Sequence, residues 1–335
     1  MMYEEFKEEY YNKWFQYVLD HPRPNGKPWN YSLLSQNPNI TWEIVQNNPD
    51  KPWKYVLLSE NPNITWEIVQ NNPDKPWNYS LLSKNPNITW EIVRDNPDKP
   101  WDYNCLSEHP NITWEIVRDN PHPNGKRWNY SLLSKNPNIT WEIVQNNPDK
   151  PWNYNYNYLS ENPNITWEIV QQNPRPNGNH WDFYLLSQHP NITWEIVQNN
   201  PDKNWDYFWL SKNPNITWEI VQNNPDKPWN YSLLSKNPNI TWEIVQNNPD
   251  KPWDTYIKSL SQNPNITWDI VQNNQDKPWC YHYLSKNEMK TDKENYINRK
   301  CAQKISNTIF EELIQVVWHP KNIEKFKYLD PELDL

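Results

Sequence analysis

Residues 61–84 read NPNITWEIVQNNPDKPWNYSLLSK, and close copies of this 24-residue stretch follow one another along the chain. The segment N/H-P-N-I-T-W-E/D-I-V occurs ten times, and a looser segment W-x-Y-x-x-L-S occurs eleven times between Trp29 and Trp279. Self-similarity at a short fixed period is typical of solenoids, in which each unit buries its apolar face against its neighbours. The repeat therefore predicts a solenoid.

Each unit predicts two short helices. In the first helix, Pro52 suits the first turn, where a missing N–H costs nothing, and Trp53 and Tyr55 begin an apolar face. In the second, Thr65 is the expected N-cap, and Glu67 lies in the first turn, where the helix dipole favours an anion. Helices of about two turns are unstable alone, so neighbouring pairs must stack.

The sequence thus predicts an all-α protein, an open α-solenoid of short helix pairs wound as a right-handed superhelix with helical caps at both ends. Residues 1–21 form a degenerate second helix that caps the N-terminal end, with Phe15 in the place of the repeat Trp. Residues 22–286 hold the repeats, and residues 287–335 form a C-terminal helical cap. At about 8–10 Å per layer, eleven pairs would form an arc of about 100 Å.

Two further residue patterns concern the joints and the C-terminal end. The asparagines of the joints predict ladders in which side-chain amides bond the backbone of a neighbouring unit, as at Asn61, Asn63, Asn71 and Asn72. After Lys293, an i, i+4 stripe of apolar residues predicts one or two longer helices. Its members are Ile297, Cys301, Ile305, Ile309, Leu313 and Val317.

The composition excludes several chemistries. With 3 glycines, no dinucleotide-binding, P-loop or hydrolase-elbow motif can be written. Cys105, Cys280 and Cys301 have no C-x-x-C spacing, and none of the seven histidines forms an H-x-x-x-H pair. His109 and His189 replace the first Asn of a joint, which indicates turn variation. The sequence therefore predicts no enzyme, no cofactor and no metal, and assigns no catalytic residue.

Net charge and the lack of targeting segments limit the classes of partner and the location that the sequence predicts. The net charge of -9 disfavours nucleic acid, and Arg94 and Arg118 are each followed by Asp. The first residues lack an apolar h-region, and no run of 18 apolar residues occurs, so neither a signal peptide nor a membrane span is expected. We expect an intracellular protein.

The repeat N-P-N-I-T-W-E-I-V-Q-N-N-P-D-K-P-W-N-Y-S-L-L-S-K resembles the 24-residue leucine-rich repeat variant, an α-solenoid relative of HEAT repeats. Tandem arrays of this type also resemble the Trp/Asn/Pro-rich repeat proteins of giant DNA viruses, as does the closing segment from Phe310 to Tyr328 with its Val-Val-Trp-His-Pro. The resemblance implies a viral protein of the host cytoplasm, or one packaged in the virion. It implies no activity.

Variation between units suggests where a partner binds. The fourth position of W-x-Y-x-x-L-S changes from unit to unit and should face solvent, and aromatic residues gather there on two consecutive layers at Tyr184, Phe208 and the neighbouring Trp209. The other candidate protein-binding residues at this position are Val56, Lys258 and His282. They favour a non-enzymatic protein-protein interaction scaffold, monomeric or weakly self-associating. The alternatives are a structural component of a virus particle, or nucleic-acid or carbohydrate binding along the solenoid.

Overall fold

The computed structural model describes residues 2–21, 28–152, 157–174, 180–253 and 257–317. Within these ranges the chain forms α-helices and short 3-10 turns and no strand, which confirms the all-α class. No helix in the described ranges has the length and apolar character needed to cross a lipid bilayer. The Pro-rich joints with Gly26 and Gly178, and the segment after Val317, lie outside the described residues.

Short helices alternate along the repeats, between a long helix at each end. The long helices are α1 (Met2–Asp20) and α23 (Lys290–Val317). The first helices of the units are α2 (Tyr31–Gln36), α4 (Tyr55–Leu58), α6 (Tyr79–Leu82), α8 (Tyr103–Glu108), α10 (Tyr130–Leu133), α12 (Asn157–Ser160), α14 (Phe183–Ser187), α16 (Tyr207–Leu210), α18 (Tyr231–Leu234), α20 (Ile257–Leu260) and α22 (Tyr281–Leu284). The second helices are α3 (Trp42–Asn47), α5 (Trp66–Asn71), α7 (Trp90–Asp95), α9 (Trp114–Asp119), α11 (Trp141–Asn146), α13 (Trp167–Gln172), α15 (Trp194–Asn199), α17 (Trp218–Asn223), α19 (Trp242–Asn247) and α21 (Trp268–Asn273).

The N-caps set where the helices begin. Thr65 caps α5 as predicted, because its hydroxyl accepts a hydrogen bond from the backbone N–H of Ile68 at 3.3 Å. The prediction for the first helix was wrong, since Pro52 precedes the helix, which begins at Tyr55. In most units an Asn or Asp directly after the Trp is the N-cap. Asn78, for example, accepts from the N–H of Leu81 at 2.9 Å.

Tryptophans form the core between layers, as predicted. The Trp of a second helix packs against the first-segment Trp two units further on, as Trp42 does with Trp77 at 5.8 Å between ring centroids. The Tyr of a first helix meets the Trp of the next unit edge to face, as Tyr79 does with Trp101 at 5.2 Å. Such tilted and T-shaped pairs suit the ring quadrupoles and add to the burial of apolar area.

A ladder of asparagine amides joins each unit to the preceding one. The fully buried Asn61 donates from Nδ2 to the carbonyls of Ser35 and Asn37, both at 3.0 Å. The Ser35 carbonyl lies in the last turn of α2, where carbonyls have no intrahelical partner, so the amide satisfies it. The ladder prediction is confirmed for Asn61 and Asn63. It was wrong for Asn71, which is exposed, and for Asn72, whose amide bonds the Ile68 carbonyl of its own unit.

The two ends of the array meet and form a closed ring. Asn37 donates to the carbonyls of Ser285 at 2.9 Å and Asn287 at 3.1 Å, the same bonds that join neighbouring units elsewhere. Trp29 packs edge to face against Tyr281 at 5.5 Å. The amide ladder therefore runs in a complete circle through residues 37, 61, 85, 109, 136, 162, 189, 213, 237, 263 and 287. The expected open arc was wrong.

Helix α1 occupies the second-helix position that follows Trp279. Phe15 contacts Trp53 at 5.7 Å between ring centroids. The Trp of a second helix makes the same contact with the Trp two units further on, so the predicted register of Phe15 is correct. Helix α1 does not cap an open end, because it stacks between the last unit and the first. The right-handed sense of the array stays a prediction.

Helix α23 runs antiparallel to α1 across the seam, which we define as the junction between the last unit and the first. Lys300 and Lys304 bind Glu9 and Glu5 at 2.6 and 2.7 Å. The predicted apolar stripe of α23 is only partly covered. Ile297 is fully buried, whereas Ile305 and Ile309 are exposed, and the side chains of Leu313 and Val317 lie outside the described residues.

Candidate protein-binding surface on the inner face of the ring

The first helices line the inside of the ring. Neighbouring first helices pack directly on each other, as α2 does on α4 and α14 does on α16. In a closed ring, units converge towards the centre, so the helices that approach one another most closely are the inner ones. Side chains bridge adjacent units on this side, as Gln36 does to Glu60 at 3.4 Å and Ser80 to Asp102 at 2.8 Å. We call this surface the inner face.

The predicted candidate residues lie on the inner face. Tyr184 is 62% exposed, Phe208 is 44% exposed and Val56 is 43% exposed, and Lys258 and His282 are exposed as well. Trp209 is half-buried, with its ring edge-on to Phe208 at 5.2 Å between centroids. The fourth position therefore faces solvent in these units.

The structure brings together three of the six candidates. Tyr184 lies on α14, and Phe208 and Trp209 lie on α16, which packs against α14. We call these three side chains the aromatic patch. Lys258 and His282 follow two and three units later along the ring.

Two candidates stand apart from the aromatic patch. The ring of His282 lies next to the seam, with its Nδ1 3.0 Å from the Nδ2 of Asn30. Val56 belongs to the second unit, which lies well away from the patch around the ring.

Sequence reasoning missed a row of inner lysines beside the aromatic patch. Lys212, Lys236 and Lys286 follow the Ser of W-x-Y-x-x-L-S, the position at which Gln36 bridges to Glu60 on the inner face. The sequence shows that this position differs between units, because it holds Glu60, Glu108 and Glu161 in earlier ones. It does not show that the position lies on the inner face.

A cleft of about 680 Å³ lies at the seam, between α1, α21 and α23. Trp14 and Trp268 form part of its wall, and Lys13 and Arg299 face Asp269 and Asp292 across it. Burial raises the pKa of Asp292, which accepts a hydrogen bond from the Tyr10 hydroxyl at 3.0 Å. Because two cationic and two acidic side chains line the cleft, it favours neither an anionic nor a cationic ligand.

Reactive and metal-binding groups are sparse in the described ranges. No group of three or more His, Cys, Asp or Glu side chains there has the arrangement of a metal site. The three cysteines are free and half-buried, and burial raises the pKa of the Cys105 thiol, which disfavours its reactive thiolate. Arg94 and Arg118 pair with the Asp that follows each of them, at 2.9 and 2.8 Å.

Two histidines belong to the amide ladder. The Nε2 of His109 lies 2.9 Å from the Asn85 carbonyl, and its Nδ1 accepts from the N–H of Asn111 at 3.1 Å. His189 makes the equivalent bonds to Asn162 and Asn191. One ring nitrogen must donate and the other must accept, so the ladder requires the neutral imidazole. Burial accordingly lowers the pKa of both histidines.

This ladder makes the ring less stable in acid. In the unfolded chain a histidine takes up a proton near pH 6.5, whereas in the folded ring the lowered pKa resists protonation. We therefore expect the free energy of unfolding to fall as the pH drops below about 6.5, by up to about 1.4 kcal/mol per pH unit for each histidine until its folded pKa is reached. Urea unfolding at pH 7.5 and 5.5 should show a smaller loss for H109N/H189N. An equal loss would assign the acid sensitivity to other groups.

Comparison of the chain with protein-family models, with curated proteins and with solved structures finds no match. The resemblance to viral repeat proteins therefore stays a prediction. A function for this chain has to be inferred from its own surface.

Proposed function

We propose that the ring is a non-enzymatic scaffold that binds another protein through the aromatic patch of its inner face. The observation that carries the proposal is the location of Tyr184, Phe208 and Trp209 on two adjacent inner helices, with two of the rings exposed. Most tryptophans of the chain are packed between layers, so these rings are not needed for the core. Aromatic side chains are enriched at protein interfaces and supply many of their energetic hot spots.

The closed ring also supports binding rather than catalysis. A ring of stacked helix pairs presents the same kind of surface in each unit, and the fourth position of the first segment, on the inner face, varies from unit to unit. The resemblance to viral repeat proteins supports a viral or host protein as the partner and the host cytoplasm as the place of action. Immunofluorescence of infected cells would test that location.

Replacement of the aromatic patch should abolish partner binding. We expect Y184A/F208A/W209A to weaken the partner's affinity by roughly 30-fold or more, since hot-spot truncations cost about 2 kcal/mol or more. Affinity capture with the purified ring, followed by titration of the captured protein, measures the effect. I305A/I309A/F310A is the matched control, because it removes three exposed apolar side chains from α23, which is not one of the inner helices. Unchanged capture by Y184A/F208A/W209A would contradict the proposal.

A further inference from the structure

The inner face is divided by charge. At the position after the Ser of W-x-Y-x-x-L-S, the units before residue 162 carry Glu60, Glu108 and Glu161 besides Lys84 and Lys135. Later units carry no acidic residue there and have lysines or glutamines instead. These residues are Gln188, Lys212, Lys236, Gln262 and Lys286. Lys258, at the fourth position, adds another cation to the same half.

The lysines of this half differ in their partners from the lysines of the turns. In the turns between helices, lysines pair with the preceding Asp, as Lys75 does with Asp74 at 2.6 Å and Lys227 with Asp226 at 3.0 Å. In the acidic half of the inner face, Lys135 pairs with Glu161 at 2.8 Å.

The inner lysines have no such partners. Among the described residues, Lys212, Lys236, Lys258 and Lys286 have no carboxylate within the 4.0 Å of an ion pair. Lys212 donates only to a neutral group, the Gln188 side chain, at 3.3 Å. We call these four residues the lysine row.

The lysine row stands out against the charge of the whole protein. The chain carries a net charge of -9, so unpaired cations on one half of the inner face are a local reversal of its field. Asp182 and Asp206, at the start of α14 and α16, are occupied as N-caps and accept from the backbone N–H groups of the first turn. Complementarity across an interface pairs such a row with an anionic partner.

We propose that the lysine row and the aromatic patch together bind an extended acidic segment of the partner protein. This inference rests on the proposed function and specifies the chemistry of the partner. Acidic side chains of the segment bind Lys212, Lys236, Lys258 and Lys286, and an apolar or aromatic side chain packs against the patch. The patch precedes the row along the ring, so the apolar anchor lies at one end of the segment.

The spacing of the row also sets the spacing of the ligand. Stacked helix layers lie about 8–10 Å apart. An extended peptide in the polyproline II conformation advances about 3.1 Å per residue and points every third side chain to the same side. One unit therefore matches about three residues of the segment. The partner should carry Asp or Glu at every third position over four units.

The aromatic patch favours a peptide over single-stranded nucleic acid. Base stacking needs open ring faces, whereas Phe208 and Trp209 meet edge to face at 83° and Trp209 is half-buried. A lysine is also a point charge without the planar fork by which arginine grips phosphate, and no arginine lies in the row.

Selection of displayed random 15-residue peptides on the purified ring tests the inference. We expect the selected pool to be rich in Asp and Glu at three-residue spacing, with an apolar residue at one end. K212E/K236E/K258E/K286E should weaken the binding of these peptides at least tenfold and should itself select peptides rich in Lys and Arg. The glutamine variants of the same four residues should lose the acidic preference without reversing it.

A matched variant isolates the position of the charge. K51E/K75E/K150E/K251E makes the same change in net charge on turn lysines that are paired with Asp, and should leave the acidic pool bound. Thermal unfolding of each variant identifies any that fails to fold, and the glutamine variants then carry the test. A pool without acidic enrichment, or one that binds the K-to-E row variant as well as the native ring, overturns the inference.

Two other results separate this inference from the proposed function. Peptides that depend on Tyr184, Phe208 and Trp209 but not on the lysines would leave the scaffold proposal standing and overturn the acidic-segment proposal. Tighter binding of a labelled 15-mer of thymidylate than of any selected peptide would assign the row to nucleic acid and overturn it as well. A ring that selects no peptide on either feature overturns both proposals.

Discussion

Replacing Trp14 by Ala should open the ring at the seam. Trp14 is 2% exposed and packs against Trp268 at 6.4 Å between ring centroids, across the seam, where residues far apart in the sequence meet. Loss of a buried Trp costs about 3–5 kcal/mol. At the other junctions the covalent chain keeps neighbouring units together even when their packing weakens. At the seam only non-covalent contacts hold the two units together, so the loss of the Trp14 packing energy favours their separation.

Distances between labelled inner positions would measure the opening. Gln36 and Lys286 occupy equivalent positions in the first and last units, as Lys212 and Lys236 do in two consecutive units. In the native ring, spin labels at 36 and 286 should lie as close together as labels at 212 and 236. In W14A the first distance should lengthen and the second should not change. The labelled proteins need Cys105, Cys280 and Cys301 replaced first.

A buried Trp in the middle of the array provides the control. Trp152 is also 2% exposed and contacts Trp114 at 5.7 Å and Tyr130 at 5.2 Å. W152A should lower the thermal unfolding temperature about as much as W14A and leave the 36–286 distance short. A long 36–286 distance in the native protein would contradict ring closure, and an unchanged distance in W14A would show that α1 does not hold the seam.

The sequence predicts the layers of this ring but not its closure. The 24-residue period, the Trp core, the amide ladder at Asn61 and the register of Phe15 all follow from local spacing, because each depends on contacts within one or two units. Closure depends on the turn between units, which must average one eleventh of a circle, about 33°. Small differences in ridge-into-groove packing change that angle, and no single residue reports it.

The lysine row was missed for the same reason. The exposure of Tyr184 and Phe208 follows from variation at one position of the repeat, which sequence alone displays. The charge of the inner face can be recognised only when the position after the repeat Ser is known to lie on that face. The net charge of -9 for the whole chain gives no sign of a local excess of lysine. The late start of the first helix was missed because Pro52 suggested a helical first turn, although Asn78 and its counterparts are stronger N-caps.

Removal of one amide from the circular ladder should destabilise the whole ring. Asn213 is fully buried, donates to the carbonyls of Ser187, His189 and Ile192 at 2.9–3.0 Å, and accepts from the N–H of Asn215. In N213A the Ser187 carbonyl and the Asn215 N–H lose their partner, whereas the carbonyls of His189 and Ile192 keep bonds from the Ile192 N–H and the Asn215 amide. A buried unsatisfied group costs about 1–3 kcal/mol, so we expect a loss on the order of 4 kcal/mol in urea unfolding.

The chain itself offers the conservative variant. His109 and His189 already occupy ladder positions, and each imidazole places one nitrogen near a carbonyl and accepts an N–H with the other. N213H should therefore retain most of the stability at pH 7.5 and lose it as the pH falls below about 6.5, since protonation removes the acceptor. N213L, which fills the volume without hydrogen bonds, should behave like N213A. If N213L were instead as stable as N213H, volume rather than hydrogen bonding would be what the ladder contributes, and the ring would be held by its tryptophans alone.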